Sequence, residues 1–455
     1  MTLLGIALRN IRQRYLTSGL TALSLALGVA LVVATLVTGG IVKQAFESGS
    51  GLGYNMIVGA KGSPLQLVLN SVYFISKPIE NISWDFYQEF LPANERLDGA
   101  DGIFAASTAT AVPICMGDYF RSHRVIGTNA AFFDKLKRGS GEPYLFSSGE
   151  NFRNDDFFGG VIGAAVAQSL GLQVGDPFAP THGADDGAVH DPFMVRGILA
   201  RTDTPIDRGV FVNMEGFYLQ EGHAKPVSEE STDTSVEERP QSVKKEAALL
   251  ESSTLGARSH PEPLPFEQRE VTAILLETAS LPGLPPELTS MGLRTTINEG
   301  REAQAALPIA EIRQLLDLFV KPLELLLLLV TTLVVIVSAI GILVSMVGSS
   351  LERSRDVAVM RALGARRSHV LTTVLFEAIL LAGFGGLAGW LLGHGIVAAI
   401  GPWITTNAGV SAGLLSGAWA EAFLVPFLVV LAVAAALIPA VAAYRTDVAK
   451  WLQSG

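Results

Sequence analysis

Four stretches of this chain are too long and too apolar for an ordinary soluble helix. No charged residue occurs for 28 positions from Tyr15 to Val42, for 27 from Leu325 to Leu351, or for 43 from Ala378 to Ala420. The last run exceeds one crossing. Gly401, Pro402 and the polar Thr405-Thr406-Asn407 divide it, so a span starting near Val370 is predicted to end near Ile400. A fourth runs from Ala422 to Tyr444. A bilayer crossing needs about 20 apolar residues, so all four qualify, and buried helices of a soluble core seldom run this far without a charge. Arg9, Arg12 and Arg14 precede the first run as a signal peptide's basic region would, but the run is about twice the usual signal length and no A-x-A site follows. It therefore reads as a retained anchor. As a helix, 28 residues reach about 42 Å, beyond the roughly 30 Å hydrocarbon core, which predicts a stalk leaving the membrane.

Between the first and second spans lie 279 residues, Lys43–Lys321, with a different pattern. Short apolar or alternating runs predict strands at Tyr54–Gly59, Val161–Gly163, Phe193–Leu199, Gly209–Asn213, Val271–Leu276 and near Leu293–Ile297. Helical spacing predicts Trp84–Leu91, Ala164–Leu170 and Arg301–Leu318, the last leading into span two with kinks at Pro308 and Pro322. The fold class expected is an α+β membrane protein: one plus three transmembrane helices, with a large α+β domain inserted between the first two. Residues 222–263 have no aromatic residue, seven Ser, eight acids and five bases, a composition that predicts a disordered insertion. The boundaries expected are 1–42, 43–321 and 322–455.

Charge orients these pieces. Of 33 Lys+Arg and 43 Asp+Glu, net −10, the stretch 43–321 holds 23 and 37, net −14. The N-terminal segment has three Arg and no acid, the connection Glu352–His369 has five Arg against two acids, and the tail adds Arg445 and Lys450 against Asp447. By the positive-inside rule the termini and the 352–369 connection face the cytoplasm, and 43–321 lies outside. The 17% charged and 49% hydrophobic residues argue against a simple cytosolic enzyme, and the acidic total argues against nucleic-acid binding. The single cysteine, Cys115, excludes an intrachain disulfide and a thiolate zinc cluster.

Four features carry candidate chemistry. His182, Asp185, Asp186, His190 and Asp191 crowd one polar, Gly-containing loop. Two imidazoles and carboxylates suit zinc or copper, although a solvated loop is the plainer reading. Gly385, Gly389 and Gly393 repeat at i, i+4, i+8, a small-residue stripe that lets a second helix approach closely, within the subunit or across a dimer. Glu377, near the start of span three, reads as a side chain snorkelling towards the basic connection rather than as an intramembrane functional acid. Gly409-Val-Ser-Ala-Gly413 matches a nucleophile-elbow pattern but sits between two spans, without the strand and helix such an elbow needs.

The segment Glu352-Arg-Ser-Arg-Asp-Val-Ala-Val-Met-Arg-Ala-Leu-Gly-Ala-Arg366 sets Val357, Met360 and Leu363 on one face of a basic amphipathic helix. Such a helix either lies on headgroups or inserts into a partner's groove. It resembles the coupling segment of FtsX/MacB-type ABC transporter permeases, roughly E-R-x-R-E-I-x-x-L-R-A-L-G-A. Glu352, Arg353, Arg355, Arg361, Ala362, Leu363, Gly364 and Ala365 match, while Asp356 and Met360 stand where Glu and Leu are usual. Similar to the same family are Ala7–Ile11 with Leu25–Ala30, the segment Ala164–Asp176, Val195–Leu199, and Pro439-Ala440 with Arg445 and Asp447, although Val448 replaces a usual Pro.

The resemblance implies a non-enzymatic permease of the cytoplasmic (inner) membrane, of the MacB/FtsX/LolC–LolE kind. Its implied partners are a cytoplasmic ABC ATPase, a second permease copy, membrane lipid, and a periplasmic adaptor or cargo. Glu352, Arg353, Arg355, Asp356, Val357, Met360, Arg361, Leu363 and Gly364 would contact the ATPase. No cofactor would be bound by this chain, ATP and Mg²⁺ residing on the partner. Consistent with that, no G-x-x-x-x-G-K-[ST] occurs, and a separate ATPase chain is expected, unlike MacB itself. A signal relay that activates an outer hydrolase or sensor, and a metal-linked transport system, are the alternatives.

Overall fold

The computed structural model describes residues 3–48, 53–138, 141–183, 187–225, 262–280, 283, 285–352, 366–408, 421 and 423–444. Two compact units emerge, one comprising residues 1–45 and 314–455, the other 46–313. The helices are α1 (Leu3–Gln13), α2 (Tyr15–Ser48), α3 (Pro64–Ser71), α4 (Trp84–Gln88), α5 (Ala131–Asp134), α6 (Ala164–Leu170), α7 (Met214–Tyr218), α8 (Pro286–Glu299), α9 (Pro308–Leu315), α10 (Lys321–Glu352), α11 (Arg367–Ala408) and α12 (Leu424–Tyr444).

Among the described residues, three helical stretches are long and apolar enough to cross a membrane: Tyr15–Ile41, Pro308–Gly348 and Ser368–Pro402. The fourth expected span is the 21-residue α12, whose described apolar stretch is the shorter Pro426–Ile438. The third helix overruns its expected end near Ile400 and continues through Pro402 to Ala408. Proline removes one ladder bond, but long apolar helices absorb that loss where neighbours supply partners. Leu25, Val29, Val33 and Val37 of α2 bury against Ala378, Leu381, Ala382 and Val397 of α11 and Leu428, Ala432 and Ala436 of α12. By contrast α10 leaves Leu325, Leu329, Leu333, Ile336 and Ile340 exposed, as a helix surrounded by hydrocarbon does.

The Gly385–Gly389–Gly393 stripe lies against α2 of the same chain. A Cβ at Gly385 would meet Leu25 Cβ at 2.8 Å, and one at Gly393 would meet Val33 Cβ at 2.7 Å. Close packing inside one subunit thus accounts for the stripe. Glu377 departs from expectation. Its side chain is buried, at 5% exposure, where a snorkelling acid would be expected to reach water.

Unit 46–313 is built on a mixed sheet. Its strands are β1 (Met56–Gly59), β2 (Ile82–Ser83), β3 (Thr108–Phe120), β4 (His123–Thr128), β5 (Phe146–Gly149), β6 (Gly159–Ile162), β7 (Pro177–Phe178), β8 (Thr181–His182), β9 (Phe193–Leu199), β10 (Val210–Asn213), β11 (Glu270–Val271), β12 (Ala273–Thr278) and β13 (Gln304–Ala306). The main sheet runs β13-β1-β12-β3-β4-β10-β6-β9-β5, with β7 also on β9 and β8 on β3, while β2 and β11 pair as a separate two-stranded sheet. The β10–β4 and β6–β9 pairs are parallel. β1, β6 and β10 are buried at every position, which is why they read as unbroken apolar runs. β9 alternates, with Phe193, Val195, Gly197 and Leu199 inward.

Two expected elements change type. Leu293–Ile297 is helical, inside α8, where Pro286 fixes the first turn and Leu293 and Ile297 bury one turn apart. The expected helix Arg301–Leu318 begins only at Pro308, because Gln304–Ala306 forms β13 and pairs with β1. Pro308 starts the helix and does not kink it. The irregularity lies at Leu316–Val320, a π-helical turn immediately before Lys321-Pro322. A proline ring clashes with the carbonyl four residues back, and the wider turn relieves that clash.

Cys115 sits on β3 at 3% exposure, its thiol donating to the Tyr218 hydroxyl at 3.2 Å, which donates to the Glu270 carbonyl at 2.7 Å. Burial pushes the thiol up to about 12. The folded chain is therefore expected to resist a water-soluble maleimide at neutral pH and to label fully only after denaturation. Rapid labelling of the native protein, followed by mass spectrometry, would contradict this placement.

Candidate metal centre

Four side chains from three separate stretches of the 46–313 unit converge on one point: Asp118, His182, His190 and His223. Local structure aims each of them. β3 and β4 change register between Met116 and Tyr119, so two residues, Gly117 and Asp118, face one on the partner strand. Such a bulge re-aims a side chain. β8 pairs antiparallel with the same strand, and its register sets His182 directly opposite Asp118. The chain then folds back: His182 N donates to the Ala188 carbonyl at 2.9 Å and His190 N to the Pro180 carbonyl at 2.9 Å. That pairing leaves His182 and His190 as diagonal neighbours on one face.

His223 arrives from α7. Asn213, at the end of β10, caps this helix by accepting from Glu215 N at 3.0 Å, and its amide donates to the Arg153, Asn154 and Asp156 carbonyls. Beyond the helix, Gln220 Oε1 accepts from Asp191 N at 2.8 Å, tying this segment to the His190 strand. Gly222 turns the chain at φ +91°, a conformation that suits glycine, and the His223 ring packs edge-on against Phe217 with centroids 4.2 Å apart.

The four ligand atoms lie within 4.8 Å of one another. His182 Nδ1 is 3.2 Å from His223 Nε2, which is 3.2 Å from His190 Nε2. Asp118 Oδ1 lies 3.4 Å from His182 Nδ1 and 3.3 Å from His223 Nε2, and Oδ2 lies 3.3 Å from His190 Nε2. Asp118 is 0% exposed, and neither of its oxygens receives a hydrogen bond among the described residues. Burial pushes the His190 imidazole below its ordinary value, and His223 and His182 add to that against the Asp118 carboxylate. The neutral imidazole is the form that ligates metal.

Of the four expected ligands, His182 and His190 are brought together, whereas Asp185 and Asp186 lie outside the described residues. Asp118 and His223, which the sequence reading did not name, join His182 and His190. His223 also corrects the expected 222–263 insertion: its first residues, Gly222–Lys225, belong to the folded unit, and 226–261 lie outside the described residues. Arg353, Arg355, Asp356, Val357, Met360, Arg361, Leu363 and Gly364 of the coupling segment, and the Gly409–Gly413 pattern, lie outside them too. So does the Glu352 side chain. One pair escaped the sequence reading. His394 Nε2 and Glu421 Oε2 are 2.8 Å apart, with His394 edge-on to Trp390 at 4.5 Å.

Two family models match the chain: the MacB-like periplasmic core domain over residues 18–247 and the FtsX-like permease C-terminal model over 328–448. The macrolide export ATP-binding/permease protein MacB of Nitrobacter winogradskyi is 24% identical over 411 residues, 88% of this chain and 54% of that protein. MacB of Bdellovibrio bacteriovorus is 30% identical over 159 residues, 35% of this chain and 24% of that protein. The chain thus spans about half the length, or less, of these curated relatives. An ABC transporter permease of Bacillus subtilis, YknZ, is 34% identical over 85 residues, 16% of this chain and 21% of that one. The crystal structure of the periplasmic region of MacB from Actinobacillus actinomycetemcomitans aligns with 59% of this chain and 94% of its own at 11% identity and a TM-score of 0.31, a likeness too slight to argue from.

Proposed function

Because this chain belongs to the MacB/FtsX-like family of ABC transporter permeases, whose permease components are not themselves enzymes, we propose that it turns ATP-driven movement of a separate cytoplasmic ATPase into movement of the 46–313 unit. The observation that carries this reading is helical continuity. The chain leaves one compact unit inside α2, a helix of 34 residues, and returns along α9, the π-helical turn and α10. Helices resist bending and stretching where loops do not, so displacement applied at one end is passed along them.

In this reading α2, α10, α11 and α12 span the inner membrane and the 46–313 unit is extracytoplasmic. The connection 352–369 receives the stroke of the ATPase, two permease copies work together, and the cargo is a lipoprotein, lipid, peptide or drug handled by the outer unit. Arg361 and Leu363 supply the charged and apolar anchors of the coupling helix.

The test is association. Charge reversal at Arg361 combined with Leu363→Asp is expected to abolish co-purification of the small ABC ATPase and at least about 90% of permease-stimulated ATP hydrolysis. A partly desolvated charged anchor costs about 2–5 kcal/mol on loss, well over tenfold in affinity. Association that survives both substitutions would refute the coupling role. A second reading, a metal-linked transport system, is favoured by the Asp118–His223 cluster.

A further inference from the structure

We propose that Asp118, His182, His190 and His223 bind one zinc-class divalent cation per chain, in a four-coordinate tetrahedral site on the 46–313 unit. The argument is first metrical. An ion held at about 2.0–2.1 Å from nitrogen and oxygen ligands separates neighbouring ligand atoms by about 3.3–3.4 Å when the arrangement is tetrahedral. Five separations, two of them to Asp118 Oδ1 and one to Oδ2, are 3.2, 3.2, 3.3, 3.3 and 3.4 Å. Four side chains drawn from residues 118 to 223 thus present one ligand atom each within 4.8 Å of one another, close enough for a single ion to draw them into a tetrahedral shell.

The second argument is electrostatic. A fully buried carboxylate without a hydrogen-bond donor is costly unless a cation faces it. A metal-free centre would have to set a protonated imidazole against Asp118 across 3.3–3.4 Å while the imidazole pairs 3.2 Å apart competed for the same protons. One divalent ion satisfies all four groups together. Three imidazoles and a single carboxylate also select the ion: Mg²⁺ and Ca²⁺ prefer six or more oxygen ligands, whereas imidazole-rich tetrahedral sites suit Zn²⁺.

The placement says what the ion does. It joins the β3 bulge, the paired stretches 180–182 and 188–190, and the segment after α7. Four protein ligands close the coordination shell, so the site staples these segments and is not built for hydrolysis, which needs an open position. His190 and His223 side chains are 3% and 4% exposed, while His182 is 50% exposed and forms the side from which an ion enters.

The test uses the full chain, untagged, in detergent. After chelator treatment and desalting, zinc alone is added in the presence of excess Mg²⁺, and bound metal is counted by mass spectrometry. About one zinc per chain is expected, with Co²⁺ giving the intense visible absorption of tetrahedral coordination. His190→Gln and Asp118→Asn are expected to weaken zinc binding by more than about 100-fold, since even groups that merely orient ligands cost 10–100-fold. His182→Gln, at the half-exposed corner, threatens folding least and is expected to lose the tetrahedral cobalt spectrum while keeping the apo melting temperature. His123→Ala, outside the cluster, is expected to keep full binding. A wild-type chain that retains no zinc overturns the proposal, as do His182→Gln and His190→Gln variants that bind it as the wild type does. The outcome is independent of ATPase association, so this site and the coupling helix stand or fall separately.

Discussion

Arg269→Ala is expected to cost the 46–313 unit about 3–5 kcal/mol, the penalty for leaving one member of a buried ion pair alone. Arg269 is 4% exposed. Its Nη1 and Nη2 donate to Glu215 Oε1 and Oε2 at 2.8 and 3.0 Å, a bidentate pair, and its Nε donates to the Leu264 carbonyl at 2.7 Å. The guanidinium also lies over the rings of Phe266, Trp84 and Tyr218 at 4.7, 5.3 and 5.6 Å. Truncation removes all of these contacts and leaves the Glu215 carboxylate, whose side chain is only 19% exposed, without its partner. For a unit of this size the melting temperature should fall by roughly 10 °C, followed by the fluorescence of Trp84, which sits in the cluster. Arg269→Lys keeps the charge but not the planar fork and should fall between the two. Arg269→Met with Glu215→Leu should recover much of the loss, because an apolar pair of similar volume needs no desolvated charge. A melting point for Arg269→Ala within about 2 °C of the wild type would show that the pair adds little.

This cluster and the metal centre share a property that limits what a sequence can reveal. Strands buried on both faces, such as Gly159–Ile162 and Val210–Asn213, announce themselves locally, since every residue of the run is apolar. Helix α6 does so through its apolar spacing and Gly171, which ends it at φ +68°. Thr108–Phe120 does not. Pro113 and Gly117 interrupt it, and its pairing with β12 and β4 is long-range. Leu293–Ile297 and Ala305-Ala306 exchanged types because a window of a few residues fits both periods, and only the partner element decides. At the candidate site, His182 and His190 were legible because eight residues separate them. Asp118 and His223 were not, because a bulge and a helix cap bring them in. The available signals were slight: one acid after Met116-Gly117 in an otherwise apolar strand, and a histidine three residues beyond Gln220, where the composition turns polar.

Gly389→Leu is expected to be nearly as damaging as Arg269→Ala, through packing alone. Gly385, Gly389 and Gly393 form one buried line along α11, and α2 lies on it. A Cβ at Gly389 would run into the Ala26 carbonyl oxygen, with Val29 Cβ at 2.6 Å and Ala26 Cα at 2.9 Å. None of these atoms can swing aside as the tip of a long side chain can. The helices must therefore separate, losing contacts among Leu25, Val29, Val33, Leu381 and Val397. Overpacking costs about 1–3 kcal/mol for a small excess, which sets the scale for Gly389→Ala; an isobutyl group exceeds the upper end. Gly383 and Gly395, on the same helix, have no atom within 4 Å of the built Cβ. Alanine there should be neutral or slightly stabilising, since it restrains the helix backbone at no steric cost. Melting of the full chain in detergent separates the cases, with Gly389→Leu well below Gly389→Ala and Gly395→Ala at or above the wild type. Equal melting of all three would mean that α2 and α11 do not pack on this line. If they do, α2 is seated on α11 through backbone contact, which is the stiffness that the proposed transmission requires.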